Sequence, residues 1–442
     1  MDHNKYVCVI GWDDFNLNMI RQLDEARECI FFPGITFDEM RKKDHVDIPG
    51  LLKITEDRIR EAGRIDAVVS FFDFPASLLV PLIAQRHKLT GPSLKSVMKC
   101  EHKYWGRMEQ KKVIPDNIPR FQAFDPFDPE AYEKIGFKPP FWVKPVKSYH
   151  SYLAYRITDK EQFMICMKEA REKIGAIVEP FTQIFEQFNL SPEPGRIKEQ
   201  MFAETCIRGH QCTAEGYVTD REINVYAIVD SVRAANASSL IRYEYPSRLP
   251  ETVKQSIRDL SRKVIGQIGL KHSAFNIEYF YNTKTGHIRL LEVNPRISQS
   301  HAAIFEKVHG VSHHEVMLNL ALNRRPRPLN YQGEFNVAAN FLLRSFRPGV
   351  VQQIASEESI MALREKYPDM RLKINVQKGM NLDDLLPHQV DSYSYELANI
   401  FLGAMSRDEL MEKYRDVTEN LSIEISDSGT AKDNHSVYQK IK

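Results

Sequence analysis

The 442-residue chain has almost no net charge: 60 Lys and Arg stand against 59 Asp and Glu, which leaves +1 at pH 7. That balance gives no reason to expect nucleic acid or a membrane surface as a partner. Its six cysteines, Cys8, Cys29, Cys100, Cys166, Cys206 and Cys212, form no CxxC pair. Scattered thiols fit a reducing, cytoplasmic setting better than a disulfide framework. Cys206 and Cys212, with His210 between them, have the wrong spacing for a usual zinc site. No apolar core follows Met1-Asp2-His3-Asn4-Lys5, so no signal peptide is expected. The most apolar long window, residues 66–85, is broken by Asp73, Pro75 and Pro81; it reads as strand, turn and helix, not as a membrane span. H-E-x-x-H is absent, so His309, His313 and His314 read as solvated or capping residues. Gly11-Trp12-Asp13-Asp14 lacks the G-x-G-x-x-G of a dinucleotide-binding turn. No Ser or Cys nucleophile motif is found either.

What is present is an ordinary globular composition, 43% hydrophobic and 27% charged, long enough for two to four domains. Its most informative stretch is residues 273–301. Two apolar runs, 274–281 and 287–293, flank Asn282-Thr283-Lys284-Thr285-Gly286. Branched and aromatic residues around a cluster of turn formers predict a β-hairpin. Each strand carries one acid, Glu278 and Glu292. Side chains alternate along a strand, so Glu292, Asn294 and Arg296 start on one face. Antiparallel pairing can set Glu278 opposite Glu292. Two carboxylates and an amide make a hard, oxygen-rich site suited to Mg²⁺ shared with phosphates. Arg296 adds a planar cation suited to a phosphoryl or carboxylate oxygen. The alternative is a solvated hairpin in which Arg296 merely pairs with Glu292.

Glu278, together with Leu291-Glu292-Val293-Asn294-Pro295-Arg296, resembles the metal-binding end of the ATP-grasp superfamily. The resemblance implies that Glu278, Glu292 and Asn294 hold Mg²⁺, or Mn²⁺, on ATP. It implies that Arg296 contacts the transferred phosphoryl group or acyl-phosphate. Ile297-Ser298-Gln299-Ser300-His301 looks most like carbamoyl-phosphate synthetase and amino-acid ligase members. Lys103 and Lys144 match the two phosphate-binding lysines, with Lys144 also catalytic. The block from Phe202 to Val218 resembles the adenine connector: Glu204 would offer its backbone carbonyl and Ile207 its N–H, and Gln211 occupies the slot of a ribose-binding acid. Glu215, deeper in that strand, reads either as facing metal or substrate or as a partly exposed strand residue. The flap of the family falls on Lys147-Ser148-Tyr149-His150-Ser151-Tyr152, where Ser148 is the candidate phosphate contact. That loop has no glycine, so its backbone cannot freely reach positive-φ nests. It is then a stiffer, side-chain-based flap, or catalysis is altered.

Along the chain, residues 6–10, 29–32 and 67–72 read as strands and 16–28 and 76–87 as helices. That alternation predicts a small parallel sheet. Residues 93–112 read as one helix with Ser93 as N-cap, 159–173 as a helix, and 177–181 as a strand. Residues 189–196 read as a Pro-rich insertion and 233–242 as a polar loop. A helix over 250–268 ends at Gly269. The fold class expected is α/β and α+β: an ATP-grasp fold preceded by a small parallel α/β domain and followed by a C-terminal α+β module. The expected boundaries are 1–95, 96–325 and 326–426, with a flexible tail at 427–442.

A carboxylate is a poor acyl donor until phosphorylation gives it a good leaving group, after which an amine can attack. The resemblance therefore implies an ADP-forming carboxylate–amine ligase acting on small molecules, amino acids among them, as a possible homodimer. A carboxylase or carbamoyl-phosphate-type enzyme that activates bicarbonate is the second reading. Biotin carboxylases place an acid just before the His that follows the motif, and here that position is Ser300. A non-catalytic nucleotide-binding protein is the third. Glu215, His210 and His301 are the candidates for deprotonating the amine.

Overall fold

The computed structural model describes residues 4–41, 46–147, 153–188, 190, 201–234, 239–385, 390–391 and 394–426. Helices and strands run in this order: β1 (Lys5–Trp12), α1 (Asp14–Arg21), β2 (Cys29–Thr36), α2 (Ile48–Ala62), β3 (Ala67–Val69), α3 (Ala76–Arg86), α4 (Leu94–Glu101), α5 (Lys103–Val113), β4 (Phe121–Phe124), α6 (Ala131–Lys134), β5 (Phe141–Pro145), β6 (Tyr155–Ile157), α7 (Lys160–Lys173), α8 (Gly175–Gln187), β7 (Met201–Thr205), β8 (His210–Val218), β9 (Ile223–Arg233), β10 (Leu240–Tyr245), α9 (Glu251–Ile268), β11 (Ser273–Tyr281), β12 (Ile288–Asn294), α10 (Gln299–His309) and α11 (His313–Ala321). β13 (Val337–Ser345), β14 (Val350–Gln353), α12 (Glu357–Lys366), β15 (Arg371–Ile374), β16 (Val390–Asp391), β17 (Ser394–Ala404), α13 (Arg407–Leu421) and β18 (Glu424–Ser426) follow. The chain groups into two compact units.

The first unit holds residues 1–228, 248–299 and 313–328. It opens with the expected parallel sheet, in the order β2-β1-β3. The inner residues of β1, Cys8, Val9 and Ile10, are fully buried. An antiparallel sheet, β4-β7-β5-β6, follows. A further antiparallel arrangement runs β12-β11-β8. Helix α9 packs on β8 and α5. It buries Val253, Ile257, Val264, Ile265 and Ile268, a helical stripe. It ends at Gly269 with φ +77, the left-handed conformation that glycine reaches without a steric penalty.

The second unit holds residues 229–247, 300–312 and 329–442. Its sheet runs from the end of β9 through β10, β13 and β17 to β15, with β16 on β17. α13 covers β13 and β17 and buries Leu410, Val417 and Leu421. Unlike the module expected over 326–426, this unit also takes in residues 229–247 and 300–312.

Several local expectations are corrected. Residues 177–181 lie in α8, not in a strand; Val178, Phe181, Ile184 and Phe185 are buried on one helical stripe, a period that five residues are too few to show. Residues 93–112 form two helices, broken at His102, whose backbone is extended at φ −87, ψ 100. The His102 ring caps the second helix by accepting the Trp105 N–H at 3.1 Å. Helix α2 adds to the expected elements; Asp47 caps it and Pro49 sits in its first turn. The segment 16–28 is α1 followed by a 3₁₀ turn at Asp24–Glu28. Within 233–242, residues from Leu240 onward are strand. His309, His313 and His314 are buried at 2%, 0% and 0% exposure, not solvated. The insertion at residues 189 and 191–196 and the tail at 427–442 lie outside the described residues.

Candidate active site

The hairpin forms as the alternation requires. Glu278 and Glu292 are direct cross-strand partners, and Asn276 faces Asn294. β8 extends the same rows, with Thr213 beside Glu278 and Glu215 beside Asn276. Two parallel rows result on one sheet face: Thr213–Glu278–Glu292 and Glu215–Asn276–Asn294. Two carboxylates directly opposite each other repel, so the pair calls for positive charge or hydrogen-bond donors. Gln211 Nε2 donates to Glu278 Oε2 at 2.9 Å. Lys103 Nζ donates to Glu292 Oε2 at 2.7 Å. Asn294 donates its amide N–H to Asn276 Oδ1 at 2.9 Å, which leaves the Asn294 carbonyl oxygen on the acceptor side. The two acids and that oxygen are a donor set that fits a hard divalent cation.

The hairpin register slips between Glu278 and Tyr279, so Leu291 has no strand partner. This β-bulge sets Glu292 off from the pairing beyond it. The Leu291 carbonyl is taken instead by Arg107 Nη2 at 2.6 Å. Arg107, from α5, also donates to Glu204 Oε2 through Nε at 3.2 Å and Nη2 at 3.1 Å and to Gln110 Oε1. Glu204 in turn pairs with Lys144. One buried acid thus binds cations from α5 and β5 and, through Arg107, ties β7 to the hairpin. No local pattern marks Arg107, because its partners are far away along the chain.

The charges adjust accordingly. Burial opposes the Glu204 charge, but Lys144 and Arg107 outweigh it and hold the carboxyl below its usual range. Burial pulls Lys144 below the usual lysine range, with Glu204 opposing and Lys103 adding repulsion. Burial likewise opposes the charge of Glu292, yet Lys103 brings that carboxyl down to about 2. Lys103 is correspondingly raised, Glu292 outweighing the effect of burial. Its backbone N–H donates to the Val146 carbonyl at 2.7 Å, which fixes the start of α5 against the end of β5.

Arg296 does not pair with Glu292. Its Nη2 donates to Asp73 Oδ2 at 3.0 Å. Lys147 reaches Asp73 at 3.6 Å and pairs with Glu101. Asp73 is pushed well below the usual carboxylate range; burial works against this, and Lys147 and Arg296 outweigh it. Asp73, Glu101, Asn276 and Thr213 join the site without having been singled out as site residues.

Of the sequence-predicted residues, the structure brings Lys103, Lys144, Glu204, Gln211, Glu278, Glu292, Asn294 and Arg296 into one connected set within the first unit. Ile207 follows β7 on the loop to β8. Ser148 lies outside the described residues. Glu215 is fully buried, and burial drives its carboxyl well above the usual range, against the pull of Arg296 and with added repulsion from Glu278. His210 pairs with Tyr281 at the far end of β8 from Glu215. His301 belongs to the second unit, beside the Tyr243 ring.

Residues 137–303 match a family model described as an ATP-grasp domain. The carbamoyl phosphate synthase large chain of Pseudothermotoga lettingae is 25% identical over 210 residues, 41% of this chain and 18% of that protein. That of Micrococcus luteus is 32% identical over 93 residues, 21% of this chain and 8% of that protein. The chain therefore matches only a small part of the length of these curated relatives. Among solved structures, the L-amino acid ligase from Bacillus licheniformis superposes with a TM-score of 0.71 at 17% identity, covering 96% of this chain and all of the other. Biotin carboxylase from Campylobacter jejuni gives 0.66 at 13% identity, covering 99% and 96%. At these identities the likeness establishes the fold. Among the described residues, no helix is long and apolar enough to cross a membrane.

Proposed function

We propose, from the match of residues 137–303 to a family model described as an ATP-grasp domain, that the protein is an ADP-forming ligase joining a small carboxylate to an amine through an acyl-phosphate. The observation that carries the proposal is the register of the hairpin, which sets Glu278 opposite Glu292 with Asn294 one step along the same face. Lys103, Lys144 and Arg296 surround that face with positive charge. Mg²⁺ held by Glu278, Glu292 and Asn294 would neutralise the triphosphate and align its terminal phosphoryl group.

The remaining work falls to the side chains. Lys144 and Lys103 leave their partners Glu204 and Glu292 to meet the phosphates, exchanging one anion for another. Glu204 fixes the connector strand, from which its carbonyl and the Ile207 N–H would reach adenine, and Gln211 would meet the ribose. Arg296, held from the Asp73 side, presents its remaining donors to the oxygen charge that builds during transfer. The acid's carboxylate oxygen attacks the terminal phosphorus, ADP leaves, and the amine displaces phosphate from the acyl carbon. No side-chain nucleophile is required.

The screen that tests this is ADP release by the full chain against pools of amino acids and amines. The ligase requires signal that depends on an acid and an amine together. With an ¹⁸O-carboxyl acid, label must appear in the released phosphate; unlabelled phosphate would exclude the acyl-phosphate route. The similarity to carbamoyl phosphate synthase large chains favours one second reading, activation of bicarbonate, which would give signal with bicarbonate and no amino acid.

A further inference from the structure

Asp73 lies on the turn between β3 and α3, in the parallel sheet that opens the chain. The turn is itself fixed. Asp73 Oδ1 accepts the Phe74 N–H at 2.6 Å, and the Asp73 carbonyl accepts the Ala76 N–H at 3.0 Å where α3 begins. Ser70 Oγ accepts the Phe72 N–H at 3.1 Å on the other side of the acid.

The second carboxylate oxygen, Oδ2, accepts Arg296 Nη2 at 3.0 Å. Strand β12 ends at Asn294, so ladder pairing does not orient Arg296 as it orients Glu292. Two contacts do. Nη2 is held by Asp73, and Nη1 donates to the Ile297 carbonyl at 3.2 Å. Each terminal nitrogen of a guanidinium carries two N–H groups, so these bonds set the plane and leave one N–H on each nitrogen for another acceptor.

Lys147 makes Asp73 a shared anion. Its Nζ stands 3.6 Å from Asp73 Oδ1, pairs with Glu101 at the end of α4 and lies 5.1 Å from the centre of the Phe74 ring. The Lys147 side chain is 4% exposed, so the first residue of the flap segment is engaged with this turn and with α4, not presented to a phosphate. Asp73 and Glu101 balance Lys147 and Arg296 in charge, the condition under which buried ions are tolerated.

We propose that Asp73 is a positioning residue for phosphoryl transfer: by holding Nη2 it aims the remaining terminal N–H groups of Arg296 at the terminal phosphoryl group of ATP. A turn of the opening parallel sheet thereby completes a site whose acids lie on the hairpin. The inference rests on the nucleotide placement of the ligase reading and adds a residue to it. An ion pair that merely fastened the turn to the segment after β12 would affect stability without changing which nucleotide is preferred.

Calorimetric titration of the full chain with Mg²⁺ and either ADP or the non-hydrolysable ATP analogue AMPPNP compares binding with and without the terminal phosphoryl group. The wild type is expected to prefer AMPPNP. Asp73→Asn keeps the size and removes the charge; it is expected to weaken AMPPNP about ten-fold, the loss of one charge-assisted hydrogen bond, and to leave ADP within about two-fold. Arg296→Ala is expected to do the same. Adding Asp73→Asn to Arg296→Ala is expected to cost less than about two-fold more, because a residue that acts through its neighbour is not additive with it. The proposal is overturned if Asp73→Asn keeps the preference that Arg296→Ala loses, if Asp73→Asn weakens both nucleotides alike, or if the two losses add. If Arg296→Ala keeps the preference, the contact of Arg296 with the phosphoryl group falls and the role of Asp73 with it. A wild type that binds neither nucleotide overturns the ligase reading itself.

Discussion

Replacing Glu204 with Gln removes the carboxylate shared by Lys144 and Arg107. The Arg107 and Glu204 side chains are 3% and 4% exposed, and that of Lys144 is 16% exposed. Taking one partner out of a buried ion pair costs about 3–5 kcal/mol, because the charge left behind is not compensated. At roughly 2 °C per kcal/mol for a unit of this size, Tm should fall by about 6–10 °C without nucleotide. Lys144→Met is the comparison. It leaves Glu204 with both Arg107 bonds, so its cost should be nearer 1–2 kcal/mol. The pH dependence has a definite sign. The folded Glu204 carboxyl lies below its ordinary value, so its stabilisation is present above the ordinary carboxylate range and is lost as pH falls through the folded value. The gap between wild type and Glu204→Gln should therefore close in acid. Denaturation of the three proteins by heat across pH 3–8 reads all of this. A Lys144→Met loss equal to or larger than that of Glu204→Gln, or a gap constant with pH, would refute the reasoning.

The remaining expectations concern the hairpin and the helix caps. Glu292→Ala should reduce ATP turnover by at least about 100-fold while the far-ultraviolet circular dichroism spectrum stays that of wild type; normal turnover would remove Glu292 from the site. The Glu292 carboxyl is brought down from 4.5 to about 2, so its contribution to stability is full above pH 4.5 and lost between there and pH 2, and Glu292→Gln should flatten the wild-type stability profile over that window. Ser93 Oγ accepts the Ser96 N–H at 3.2 Å, and Ser93→Ala should cost about 1 kcal/mol by chemical denaturation, with Ser93→Asp restoring it.

The hairpin was legible because its information is local: alternation, a turn cluster and two acids within fifteen positions fix both pairing and face. The parallel sheet was legible for the same reason, as was the Gly269 stop. What the sequence hid depends on contacts between distant segments. Arg107 reaches Glu204 across 97 positions and Leu291 across 184, and Arg296 finds Asp73 across 223. No local pattern marks such partners. The strand expected at 177–181 fails because five residues, Glu179 and Pro180 among them, are too few to distinguish a period, and the helical stripe continues to Ile184 and Phe185. The break at His102 was hidden because Lys103 and the residues after it continue the helical pattern, and only the ring caught by the Trp105 N–H ends one helix and starts the next. The burial of the histidines has no local sign because their partners, such as Tyr226 for His313 at 2.5 Å, lie on distant strands.

The central claim is that the paired hairpin acids hold a divalent cation for the nucleotide. Titration of Mn²⁺ into the full chain with saturating ADP, followed by electron paramagnetic resonance of the free ion, measures it directly. The wild type should take up Mn²⁺ in a nucleotide-dependent manner, and Glu278→Gln with Glu292→Gln together should abolish that uptake while the unfolding transition remains cooperative. Unchanged uptake by the double variant would contradict the account.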